Sequence, residues 1–194
     1  MSARGEAQER SSRPRAIARA RQVGDSINED RGGERRRQLT AEPRVALAIQ
    51  FAVARRRLPT PATLRRWAGA AAERDARVTL RFVGRREGRA LNARYRGKLH
   101  ATNVLAFVYD ESPQIEGDVV LCAPVLREEA RAQGMPLADH CAHLVVHGML
   151  HLQGYDHDTD RAARKMEVRE SAILAALGVP DPYARAAGRA RLDR

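Results

Sequence analysis

Residues 147–157 read HGMLHLQGYDH, and few backbones satisfy that run. Its three imidazoles stand at spacings of four and six, with Gly154 between the second and the third. On an α-helix, residues i and i+4 share a face with Cβ atoms roughly 5 to 6 Å apart, so His147 and His151 can reach one ion about 2.0 to 2.1 Å from each ring nitrogen. A straight helix would carry a third ligand away from that ion. Glycine enters the left-handed conformation that ends a helix at little cost, so Gly154 predicts a helix stop and a short turn that brings His157 back. Three histidines with one coordination position left for water is the arrangement of a catalytic rather than a structural zinc.

The same helix carries further histidines. His140 and His143 precede the run, and His143, His147 and His151 follow one another at i, i+4, i+8. His143 is thus an alternative partner for His147, but that pair needs ligands from elsewhere, whereas the set at 147, 151 and 157 is closed by its own turn. The helix is expected over residues 137–153, with Asp139 in the first turn where the helix dipole favours an acid. Leu137, Cys141, Leu144, Val145, Val146, Met149, Leu150 and Leu152 cover much of its circumference, which predicts a central, largely buried helix. Ligands on such an element are held rigidly.

A chain of 194 residues suits one domain that buries a core without disulfides. Cys122 and Cys141 stand alone with no CxxC spacing, which fits buried thiols in a reducing compartment. No 18-residue apolar run and no signal sequence is present, so a soluble cytoplasmic protein without a membrane partner is expected. The formal net charge of +11 points to phosphate-rich partners, nucleic acid first. Of the 35 basic residues only Lys98 and Lys165 are lysines, an arginine bias that a GC-rich genome would also produce.

Residues 1–43 hold 10 arginines against 7 acids and few large apolar side chains, a disorder composition. They are read as a flexible basic arm or as sequence upstream of the true start; the acids disfavour a transit peptide. The folded domain is expected over residues 44–183, with a basic tail over 184–194. Within the domain, the apolar run after Pro43 reads as a strand with a helix as the alternative. Thr60 and Pro61 open a helix to about Glu73. Residues 77–84 alternate as a half-buried strand, 87–95 form a helix, and 103–109 and 117–123 two more strands. Helices follow over 124–133, 137–153 and from 158 or 159 to Gly178, the last burying Ala163, Met166, Ile173, Leu174 and Leu177. The fold class is α+β, a small mixed four-stranded sheet packed with about five or six helices.

HxxxHxxGxxH is the ligand frame of the zincin-type metzincin peptidases, with Gly148 where those enzymes carry the glutamate that serves as general base. A phosphodiester is therefore a more plausible target than a peptide, since zinc can acidify water and polarise a phosphoryl oxygen by itself. Further blocks extend the comparison: LNARYRGK at 91–98, ATNVLAF at 101–107, GDVVLCAPVLREEA at 117–130, HLVVHGMLHLQGYDH at 143–157, and the pair Met166 and Glu167. Together, in this order from about residue 45 to Tyr183, they resemble the YbeY family of bacterial rRNA-processing metalloendoribonucleases.

That resemblance implies one zinc held by His147, His151 and His157, a functional arginine at Arg96, and no small-molecule organic cofactor. It also implies single-strand-specific RNA cleavage in 16S rRNA 3′-end maturation and ribosome quality control, with rRNA, the small ribosomal subunit and its proteins as partners. The chain departs from the family pattern at Leu99, and at Ala106 and Val108, where serine and proline are usual; these positions bear on the substrate channel and not on the ligands. Asp156 is a candidate to orient a ligand or a plain turn residue, and Asp118 a strand-start hydrogen-bonding group. Two other readings stay open, a non-catalytic zinc-stabilised ribosome assembly factor and a zinc metallopeptidase with an unusual base.

Overall fold

The computed structural model of the protein describes residues 42–184 and, upstream, the backbone of residues 15 and 16. In chain order the elements are β1 (Arg15–Ala16), β2 (Val45–Phe51), α1 (Pro61–Ala70), β3 (Ala76–Val83), α2 (Arg85–Arg96), β4 (Val104–Asp110), β5 (Ile115–Cys122), α3 (Ala123–Ala132), α4 (Leu137–Leu152) and α5 (Asp160–Ala176). Four strands make a mixed sheet in the order β4-β5-β3-β2, in which β2, β3 and β5 run parallel and β4 is antiparallel to β5. The two-residue β1 pairs antiparallel with Phe107 and Val108 on the far side of β4. It belongs to the expected arm, of which residues 1–14 and 17–41 lie outside the described residues, as does the tail beyond 184. The architecture is the α+β class read from the sequence, with five helices among the described residues.

The apolar run after Pro43 is a strand because its large residues recur at period two. Val45, Leu47, Ile49 and Phe51 lean on the core while the residues between them are exposed. In β5 consecutive residues are buried, since both faces are covered. Val119 and Leu121 join the main core with α1, α4 and α5, whereas Val120 and Cys122 pack with Leu105, Phe107, Leu91 and Tyr95 on the α2 side. α1 is capped by Thr60, whose hydroxyl accepts from the Thr63 N–H at 3.2 Å, with Pro61 at its first position. It stops at Ala70, short of the expected Glu73, whose backbone N–H instead donates to the Gln153 side chain.

α4 is the central element, with ten of its sixteen residues buried. It packs on β4 and β5 so closely at Gly148 that a Cβ there would stand 2.6 Å from Val119 Cγ1. In α5 the buried residues are Met166, Glu170, Ile173 and Leu174, with Ala163 and Leu177 only half-buried. No helix among the described residues is long and apolar enough to cross a membrane.

Candidate metal centre

α4 ends at the glycine. Gly154 has φ +87°, its N–H donates to the His151 carbonyl at 3.1 Å, and the Tyr155 N–H donates to the Leu150 carbonyl at 3.1 Å. These are the paired bonds of a Schellman turn. Its surroundings pin the turn in place. Gln153 Nε2 donates to the Ala71 carbonyl at 2.6 Å, the Tyr155 hydroxyl donates to Glu73 at 2.9 Å, and Arg169 Nε reaches the same carboxylate at 2.7 Å. Asp156 Oδ1 accepts the His157 backbone N–H at 2.6 Å, so this aspartate steers the third histidine through its backbone.

One ring nitrogen from each of His147, His151 and His157 lies within 4.8 Å of the others. The hydrogen bonds of the opposite nitrogens decide what this group can do. His151 Nδ1 is 2.9 Å from the Tyr155 carbonyl oxygen, which only accepts, so Nδ1 carries the hydrogen. His147 Nδ1 is 2.8 Å from Glu170 Oε1. Burial would raise the Glu170 carboxyl, but the imidazoles of His143 and His147 and the Tyr183 hydroxyl outweigh it and hold the pKa at about 2. Glu170 is therefore an ionised acceptor and His147 Nδ1 is also a donor. With both rings neutral, both Nε2 atoms present lone pairs, and they face one another at 3.0 Å.

Two lone pairs at that distance repel unless a proton bridges them or a metal ion lies beside both. Burial, and then the neighbouring His147 and His157, push the His151 pKa down to about 4, so His151 is not the ring that would hold such a proton. A metal ion fits: ligands about 2.0 to 2.1 Å from a tetrahedral zinc stand about 3.3 Å apart. His143, His147 and Glu170 form a second group within the same 4.8 Å limit. It draws on the Nδ1 side of His147, which already holds a hydrogen, so the set at 147, 151 and 157 has the better donor chemistry.

The three histidines open into a cleft of about 240 Å³ built from α4 and its turn, residues 102–107 and the C-terminal end of α2. Arg96, the last residue of α2, lines it. Its side chain makes no ion pair or hydrogen bond within the described residues, which leaves a planar set of donors facing the cleft. Asn103 also lines the cleft; its Nδ2 donates to Glu129 Oε2 at 3.0 Å, and His140 Nε2 stands 2.8 Å from the same oxygen. Gly148 lies on the floor, and with no room for a Cβ this position cannot carry a glutamate without displacing Val119. Ala106 lines the cleft, whereas Leu99 is 72% exposed in the loop after α2.

The structure thus gathers His147, His151, His157 and Arg96 around one cleft, places Asp156 in the ligand turn, and sets Asp118 elsewhere, its carboxylate accepting from the Tyr109 hydroxyl at 2.6 Å. Glu170 and Tyr183 were not singled out by the sequence reading. One signal was present: Met166, Glu170 and Ile173 stand at i, i+4, i+7, an acid inside the apolar stripe of α5.

Such a scaffold and site define an α+β protein with a three-histidine group able to hold a metal beside an open cleft. Over residues 61–178 the sequence matches the family described as Endoribonuclease YbeY. The Endoribonuclease YbeY of Aromatoleum aromaticum is 57% identical over 148 residues, covering 75% of this chain and 96% of that protein. That of Thiobacillus denitrificans is 52% identical over 143 residues, covering 73% and 97%. The chain belongs to the YbeY family and is a hydrolase of the nuclease class.

Proposed function

We propose that the protein is a zinc-dependent, single-strand-specific endoribonuclease. Its zinc is held by Nε2 of His147, Nε2 of His151 and a ring nitrogen of His157, one ion per chain. The observation that carries this reading is the pair of Nε2 atoms 3.0 Å apart, with both Nδ1 atoms turned to acceptors, in a cleft lined by Arg96. When bound, zinc supplies Lewis acidity that polarises a phosphoryl oxygen and acidifies water. Arg96 offers bidentate donors matched to the phosphate and offsets charge gathering on its oxygens. The nucleophile is water or the substrate's own 2′-hydroxyl. A 2′,3′-cyclic phosphate end, read by mass spectrometry, identifies the hydroxyl. The RNA is proposed to be the 3′ region of 16S rRNA in the cytoplasm, during small-subunit maturation and quality control, with ribosomal proteins as further partners.

The test is zinc stoichiometry by elemental analysis together with cleavage of a single-stranded rRNA fragment, for the wild type and His147→Ala. One zinc per chain, with both metal and cleavage lost in the variant, is expected. An Arg96→Ala protein that keeps zinc and still supports rRNA maturation would favour the non-catalytic assembly role instead. A peptidase is disfavoured by Gly148, where steric contact with Val119 leaves no place for the usual carboxylate base.

A further inference from the structure

Glu170 is fully buried in α5, on a helix whose other buried residues are Met166, Ile173 and Leu174, a placement unfavourable for an ionised group unless it is paired. Its partners are unusual for a core acid. Oε1 lies 2.8 Å from His147 Nδ1 and 3.8 Å from His143 Nε2, and Oε2 accepts from the Tyr183 hydroxyl. Tyr183 comes from beyond the end of the helix. Gly178, at φ +74°, reverses the chain with the Val179 N–H on the Leu174 carbonyl at 2.9 Å. Asp181 Oδ1 then accepts from Ser171 Oγ at 3.1 Å and from the Tyr183 N–H at 2.9 Å. The segment is thereby laid back along α5, which sets the phenol against Glu170 and its ring 5.9 Å from that of His143.

We infer that Tyr183 and Glu170 form a latch that positions the metal centre: the phenol fixes the carboxylate, and the carboxylate fixes the tautomer and ring angle of His147. The inference rests on the reading of His147, His151 and His157 as ligands. A carboxylate behind a ligating imidazole makes it a stronger donor, and loss of such a partner typically costs 10- to 100-fold in metal affinity. A purely structural acid would tie α5 to α4 without any effect specific to the ion. The two roles differ in how substitutions combine.

Zinc affinity is measured on the full-length protein by competition with a chromophoric chelator, for wild type, Glu170→Gln, Tyr183→Phe, the double variant, and His151→Ala. Urea midpoints of the chelated proteins serve as the control for folding. The latch predicts a roughly 10- to 100-fold loss for Glu170→Gln and about a 3- to 10-fold loss for Tyr183→Phe. The double variant should be no weaker than Glu170→Gln alone, because the phenol acts only through the carboxylate. Affinities within twofold of wild type in both single variants, with His151→Ala unable to bind, would overturn the latch and leave the ligand set standing. Independent, multiplying losses in the double variant would overturn it too. Undiminished binding by His151→Ala would remove the ligand reading and the latch with it.

Discussion

At the scale of single residues, the site is a problem in where hydrogens sit. His151 is held to one tautomer by a carbonyl and His147 by a carboxylate, and the second histidine group would have to use the His147 nitrogen that faces Glu170. His143→Ala is therefore expected to retain one zinc per chain, while His157→Ala loses it; elemental analysis after gel filtration separates the two sets. The clustering of the trio was legible in the sequence because its members are local, fixed by helix spacing and one glycine. Arg96 stood out only through the resemblance, among arginines of every other kind. Glu170 was not legible, since it lies 23 residues from His147 on a different helix, and which side chains two helices bring together depends on how they pack.

Elements follow the same division. The strands and helices were readable where periodicity is strong, as in β3, or where apolar residues cover most of a helix, as in α4, and the period-two pattern that makes β2 a strand pairs it in register with β3. α1 fell short of its expected end because Glu73 is drawn to Gln153 at the end of α4. The closeness of α4 to the sheet could not be foreseen from Gly148 alone. Its consequence is measurable: Gly148→Ala should destabilise the protein by about 1 to 3 kcal/mol through overpacking against Val119. Urea denaturation gives the figure, and Val119→Ala in the same chain should recover part of the loss.

For the whole molecule the formal net charge of +11 favours phosphate-rich partners. Phosphate contacts release counterions, so affinity for a single strand should fall as salt rises, with a log-log slope near −0.7 per phosphate engaged. Arg96→Ala is expected to reduce that slope by about 0.7, measured by fluorescence anisotropy of a labelled RNA across a salt series; an unchanged slope would take Arg96 off the phosphate. Charge was plain from the sequence, but which arginines face the cleft required the fold.

All three proposed ligands come from the eleven residues 147–157, at the rim of a core that α1, α4, α5 and the sheet build without them. If these residues hold the metal, its supply and folding should be separable. Chelation should lower the melting temperature, as removal of any ligand of the native state does, yet leave the far-ultraviolet circular dichroism intact, and added zinc should restore cleavage without a refolding step. A cell short of zinc would then hold a standing reserve of folded, idle copies, put back to work by the return of the metal and not by new synthesis.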